Sequence, residues 1–281
     1  MMVPSGLLAE GISLSSIVDS MDVALKSARR VQRVASSGAT DVGRRRSSNE
    51  DAFLNDDELG LYVVADGMGG HAAGEVASQE AVEAVFGMVK QGLRVLPPSL
   101  HVLTDEHARA ATRLMEGAVQ AATYMVFALS EFDYEKSGMG TTISAMLVLG
   151  DYAVTGQVGD SRIYQIHAGQ ARQITEDHTL ISWQLKQGLI TPEEAKRSPH
   201  RNVITRAVGN HDYVEVDTGL VMLESKDQFL LCSDGLHTYL RAEEIAVLVE
   251  AGGRAAVDQL IDQANQRGGK DNITAVIVEV R

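Results

Sequence analysis

The chain has 281 residues, of which 44% are hydrophobic and 22% charged, and it carries a formal net charge of −13. That length supports one large domain or two small ones around a sizeable core, and so acidic a balance argues against nucleic acid, whose phosphates demand a basic surface. No stretch of eighteen uncharged apolar residues occurs, so no membrane span is expected.

In chain order, the opening "MMVPSGLLAEGISLSS" has neither a basic leader nor a continuous apolar run, and reads as no signal peptide. Leu14, Val18, Met21, Leu25 and Ala28 then recur at helical spacing. "ASSG" at 35–38 reads as a linker, so residues 1–38 form an accessory helix and linker ahead of a domain over 39–281. Strands are expected near 51–55 and 59–65. Amphipathic helices follow at 73–92 and 105–131, parted by "LPPS" at 96–99. Strands return at 140–149, 151–158, 161–167 and 170–174, the last two turned by "AGQ". Residues 178–206 are mixed, with Thr191, Pro192, Glu193 and Glu194 making a good helix start. Further strands are expected near 213–218 and 227–232, helices near 241–250 and 254–266, and a closing strand in "DNITAVIVEV". Cys232, the single cysteine, excludes an internal disulfide, fits a reducing cytoplasm and reads as core. Groups of strands separated by helix pairs are not the strict alternation of a parallel sheet. They predict an α+β fold of antiparallel sheets with helices outside.

Three apolar runs end on a carboxylate: "LYVVADG" at Asp66, "YAVTGQVGD" at Asp160 and "FLLCSDG" at Asp234. The run ending at Asp160 is expected beside the one ending at Asp234. A carboxylate at the end of a buried strand is costly unless something positive meets it, and a following glycine permits a sharp turn or a close approach. One Asp-Gly is simply a turn. Here Glu50 and Asp51 in "RRRSSNEDAF" and Asp271 in "GGKDN" lengthen the list. No His or Cys accompanies them at ligand spacing, and an oxygen-only set favours Mg²⁺ or Mn²⁺ over zinc. Carboxylates gathered about one point repel one another unless roughly two divalent ions lie between them. Such a pair lowers the pKa of a bridging water and presents hydroxide to an electrophile, for which a phosphate ester is the natural choice. Its non-bridging oxygens need a planar donor fork, which an arginine of "GRRRSSNED" offers.

The segments "DVGRRRSSNEDAF", "VVADGMGGHAAGEVAS", "GMGTTISAMLV", "GQVGDSRIYQI", "ITEDHTL", "NVITRAVG", "LLCSDGL" and "GGKDNITAVIVEV" occur in an order that resembles the protein phosphatase 2C family, in a bacterial form, over residues 40–281. The resemblance implies an α-β-β-α sandwich of two packed antiparallel sheets flanked by antiparallel helix pairs. It also implies hydrolysis of phosphoserine and phosphothreonine on proteins by a metal-bridging hydroxide, in the cytoplasm, opposing a Ser/Thr kinase. Two Mn²⁺ or Mg²⁺ ions are implied, with a third bound weakly. Asp66 is similar to the aspartate that bridges both metals, and Gly67 to the glycine whose carbonyl binds one of them. Asp234 and Asp271 resemble the other direct carboxylates of the first metal. Glu50 and Asp51 resemble residues that hold the second metal and its waters. Arg46 resembles the arginine that grips the substrate phosphate. Asp160, with Asp234, resembles the pair that binds the third metal, and residues 178–206 correspond to a flap beside the site.

Two departures bear on chemistry. Met68 stands where many members carry a histidine proposed to protonate the leaving group, with His71 three residues on as a substitute acid. Asn202 stands where some bacterial members have a serine near the third metal. Elsewhere, His178 reads as a structural hydrogen bonder, Arg162 as a brace, Arg44 and Arg45 as surface residues, and Trp183 with Leu185 as the small core of the flap. A haloacid-dehalogenase-type phosphatase would carry a second Asp two residues after its nucleophile, where Asp66 is followed by Gly67 and Met68. The alternative of a phosphoprotein-binding regulatory module would require lost ligands, and every expected carboxylate is present.

Overall fold

Strands here alternate their side chains between two different cores. In the computed structural model, which describes residues 34–69, 73–200 and 202–281, the described strands make two antiparallel sheets. One has the order β1 (Val34–Asp41), β11 (Ile273–Val280), β10 (Gln228–Cys232), β7 (Arg162–His167) and β8 (Gln170–Gln173). The other has the order β2 (Asp51–Asp56), β3 (Leu61–Met68), β5 (Ile143–Leu149), β6 (Tyr152–Val158) and β9 (Asp217–Met222), with the short β4 (Gly140–Thr141) on β3.

Tyr62 and Val64 of β3 meet Val276 and Val278 of β11 between the sheets, together with Phe229, Leu231 and Met146. The alternate positions face outward. Leu61, Val63 and Ala65 pack under α1 (Ala73–Val95) and α2 (Asp105–Phe132). Ile273, Ala275 and Ile277 pack under α6 (Ala242–Val249) and α7 (Gly253–Gln266). A period of two along each strand therefore feeds a helix-covered core on one side and the sheet–sheet core on the other. Three short α-helices also occur: α3 (Leu180–Lys186), α4 (Pro192–Arg197), whose Thr191 and Glu194 form a capping box, and α5 (Asp234–His237). No helix among the described residues is long and apolar enough to cross a membrane.

Four expectations need correction. "ASSG" is not a linker: it lies inside β1, which pairs with β11 from Val34–Val280 to Asp41–Ile273. Small polar residues carry little strand signal of their own, and the partner strand supplies it. The smallness is required, because a Cβ at Gly38 would stand 2.6 Å from the Phe53 ring. The accessory helix lies outside the described residues. The strand expected at 213–218 lies at Asp217–Met222, because Val214 is drawn into the core under α2 and its carbonyl accepts from Gln120. β6 and β10 are not neighbours: they belong to different sheets, and Asp160 sits where the chain crosses between them. Trp183 is half exposed, and the buried hydrophobic flap residues are Ile181 and Ala195.

Candidate active site

All the singled-out carboxylates lie at one pole of the sandwich. Asp51 opens β2 and pairs across the ladder with Asp66 near the end of β3. The register of β10 with β11 sets Cys232 against Ala275, which carries Asp234, just past one strand, toward Asp271, just before the other. Main-chain bonds hold the Asp66 segment. Its N–H donates to Thr142 Oγ1 at 2.9 Å, and its carbonyl accepts from the Thr142 N–H at 2.9 Å and from Thr141 Oγ1 at 2.8 Å. Gly67 donates its N–H to the Glu50 carbonyl at 3.0 Å. A Cβ on Gly67 would lie 2.1 Å from the Gly74 carbonyl oxygen and 2.5 Å from that of Glu50, so only glycine brings this backbone so close to the start of α1.

Asp51 is buried. Its Oδ2 accepts from Ser233 Oγ at 2.7 Å and Thr274 Oγ1 at 2.6 Å, while its Oδ1 is buried with no hydrogen-bond partner among the described residues. Burial, with Asp234 and Asp271 nearby, holds this carboxyl well above the usual range. Asp66 is raised by burial and by Asp51 and Asp234, and Asp234 by burial and Asp271. Burial also lifts Glu50. Burial, then Asp234, pushes Asp160 up to about 7. Arg46 Nη2 meets Asp271 Oδ2 at 2.9 Å on the open side of the group.

The turn carrying Asp160 is clamped from several directions. The Gly159 N–H donates to His178 Nδ1 at 3.1 Å, so His178 Nε2 carries the proton and donates to Asp217 Oδ2 at 3.1 Å. His237 Nε2 donates to the Asp160 carbonyl at 2.9 Å, and Gln157 Nε2 to the Ser161 carbonyl at 2.7 Å. Ser161 Oγ lies 2.7 Å from Thr142 Oγ1, which links this turn to the Asp66 segment. Arg162 is a brace: its guanidinium grips Asp177 at 2.9 and 2.6 Å and Tyr164 Oη at 2.9 Å.

The structure thus gathers Glu50, Asp51, Asp66, Gly67, Asp234, Asp271 and Arg46 at one place, with Asp160 beside Asp234. Arg44 and Arg45 lie at the surface, Met68 is partly buried at the end of β3, and Asn202 is exposed on the flap. His71 lies outside the described residues. Supporting groups missing from the sequence reading are Ser233, Thr274, Thr142, His237 and Asn272. Asn272 accepts from the Glu50 N–H at 2.8 Å and donates to the carbonyls of Val42 and Ser48 at 3.0 and 2.9 Å. A signal existed for most of them: they are small polar residues in the acidic motifs "SDG" and "KDNIT" or in the conspicuous "GTT".

Donor chemistry and burial together test the fit of a metal. Among the described residues no three Asp, Glu, His or Cys side chains close on one point, and Asp271 gives an oxygen to Arg46. The donors are nevertheless all oxygens, they repel one another in a dry setting, and the Asp51 Oδ1 has no partner among the described residues. Such a group fits hard divalent cations.

Known proteins share this arrangement of sequence and fold. The protein phosphatase 2C family model matches residues 42–277. The chain is 37% identical to the serine/threonine phosphatase stp of Listeria monocytogenes, over 85% of this chain and 93% of that one. The crystal structure of the Mycobacterium tuberculosis serine/threonine phosphatase PstP/Ppp is 34% identical and superposes with a TM-score of 0.77, covering 88% of this chain and 99% of its own. The catalytic domain of PstP in complex with two manganese ions is 33% identical, with a TM-score of 0.75 over 88% and 97% of the two chains.

Proposed function

The chain belongs to the protein phosphatase 2C family, and from that premise we propose that its carboxylate pole hydrolyses phosphoserine and phosphothreonine on protein substrates that a Ser/Thr kinase has modified. It is a metal-dependent serine/threonine protein phosphatase. The observation that carries the site assignment is the buried Asp51 Oδ1, without a partner among the described residues and set among carboxyls raised by burial and mutual repulsion.

Asp66, the Gly67 carbonyl, Asp234, Asp271, Glu50 and Asp51 would hold two ions, Mn²⁺ or Mg²⁺. Asp160 and Asp234 would hold a third, weaker one, since few charged ligands bind weakly. When bound, the ions supply an ionised water for attack at phosphorus and positive charge for the phosphoryl oxygens. The remaining work falls to the chain. Arg46 grips two phosphate oxygens with its planar fork. Ser233 and Thr274 hold Asp51 in one orientation, and Thr141 with Thr142 fixes the Asp66 main chain. Met68 has no proton to give, so the departing seryl or threonyl oxygen takes its proton from water. One buried cysteine fits a cytoplasmic setting.

The test is hydrolysis of p-nitrophenyl phosphate and of a phosphothreonine peptide after chelation. Activity is expected to vanish in EDTA and return with Mn²⁺ or Mg²⁺; full activity after exhaustive chelation would overturn the reading. Asp66→Asn and Asp234→Asn should each lose several orders of magnitude in kcat with the fold intact by circular dichroism.

A further inference from the structure

The turn between β1 and β2 carries three consecutive arginines, and the phosphate site uses one. The turn is fastened to the loop that holds Asp271. Gly43, at φ +81°, donates its N–H to Asp41 Oδ1 at 2.8 Å, and the Arg44 N–H donates to the Gly269 carbonyl at 2.6 Å. A Cβ on Gly43 would stand 2.2 Å from the Asp271 carbonyl oxygen, so the turn is packed on the backbone of Asp271 itself. Asn272 ties both its ends through Val42 and Ser48.

Arg44 and Arg45 are exposed on this turn, and Lys270 is exposed on the loop beneath it, one residue before Asp271. Among the described residues none of the three has an acidic partner. Some other surface cations do: Arg46 has Asp271, Arg254 has Asp258 and Arg267 has Glu244. The nearby Asp41 faces inward, accepting from Gly43 and Asn265. A chain of net charge −13 therefore presents three uncompensated cations at the mouth of its site.

We propose that Arg44, Arg45 and Lys270 form a cationic lip that selects protein substrates with anionic side chains flanking the phosphorylated residue. The inference rests on the reading that Arg46 marks the phosphate position. Exposed charge pairs are individually weak and screened by salt, so a joint preference of about tenfold is expected at low ionic strength. The lip touches parts of the substrate remote from phosphorus and so acts mainly through KM.

The experiment compares kcat/KM of the Mn²⁺-loaded full chain on two phosphothreonine peptides, one flanked by Asp and Glu and its twin flanked by Ser and Gln. It uses the wild type and the triple variant Arg44→Ser, Arg45→Ser, Lys270→Ser, with p-nitrophenyl phosphate as the small substrate. The wild type should favour the acidic peptide by about tenfold in 50 mM salt, chiefly in KM, and by about twofold in 300 mM. The triple variant should lose the preference and keep its p-nitrophenyl phosphate turnover. Equal wild-type values for the two peptides, or a preference that survives in the variant, would overturn the proposal. Loss of p-nitrophenyl phosphate turnover in the variant would overturn it too, by placing these residues inside the machinery. A failure of the Arg46 reading shows separately, as an unchanged KM for p-nitrophenyl phosphate in Arg46→Ala.

Discussion

Arg46 Nη2 stands 2.9 Å from Asp271 Oδ2, so the arginine proposed to grip phosphate and a carboxylate proposed to bind metal hold each other. An ion at Asp271 would compete with the guanidinium for that oxygen, and displacement would leave Arg46 open to substrate. Arg46→Ala should raise KM for phosphorylated substrates with little change in kcat, and Arg46→Lys should restore it only in part, since a point charge lacks the fork. Calorimetric titration of Arg46→Ala should show Mn²⁺ bound as tightly as in wild type or a few-fold more tightly. Weaker binding would mean that Arg46 organises the metal ligands.

The raised carboxyls set a pH dependence for the metal-free protein. An acid whose pKa is higher folded than unfolded binds its proton more tightly when folded. Its stabilising effect is full below the unfolded value, near 4, and is lost as pH rises through the folded value. Asp51, Asp66, Asp234 and Asp160, the last at about 7, all shift in this direction, chiefly through burial. In EDTA the Tm should therefore fall between pH 5 and pH 8, and Mn²⁺ should recover most of the loss at pH 8. A flat Tm in EDTA across that range would contradict this account of the pole.

Asp160 is proposed to serve the third, weaker ion. Asp160→Asn should keep two tightly bound ions and lower kcat for protein and small substrates alike. If Asp160 merely shapes the crossover turn, the variant melts earlier with normal kcat per folded molecule. Calorimetry beside a melting curve separates the two, and loss of the tight ions would move Asp160 into the main pair.

We propose that the catalytic domain begins at β1. A chain starting at Val34 keeps all eight paired residues of that strand and should hydrolyse p-nitrophenyl phosphate at the full-length rate. A chain starting at Val42 bares the edge of β11 and the core beneath it, and should lose about 10 °C in Tm or fail to fold. Equal melting of the two would show that β1 is dispensable.

Much of this protein is local in its chemistry and so legible in its sequence. Short apolar runs in "FLLC" and "ITAVIVEV" announce strands, and helical stripes announce α1 and α2. The carboxylates that end the apolar runs are visible because a buried charge at a strand end needs a positive partner. The motif order then points to the family. Other features depend on segments that meet only in three dimensions. "ASSG" becomes a strand because β11 lies alongside it. Asp160 sits in a crossover because the consecutive strands β6 and β7 join different sheets. Asp51 meets Ser233 across 182 positions and Thr274 across 223, and Arg46 meets Asp271 across 225. Such contacts leave no periodicity in the chain, because strand register and sheet packing are fixed by the joint burial of distant residues.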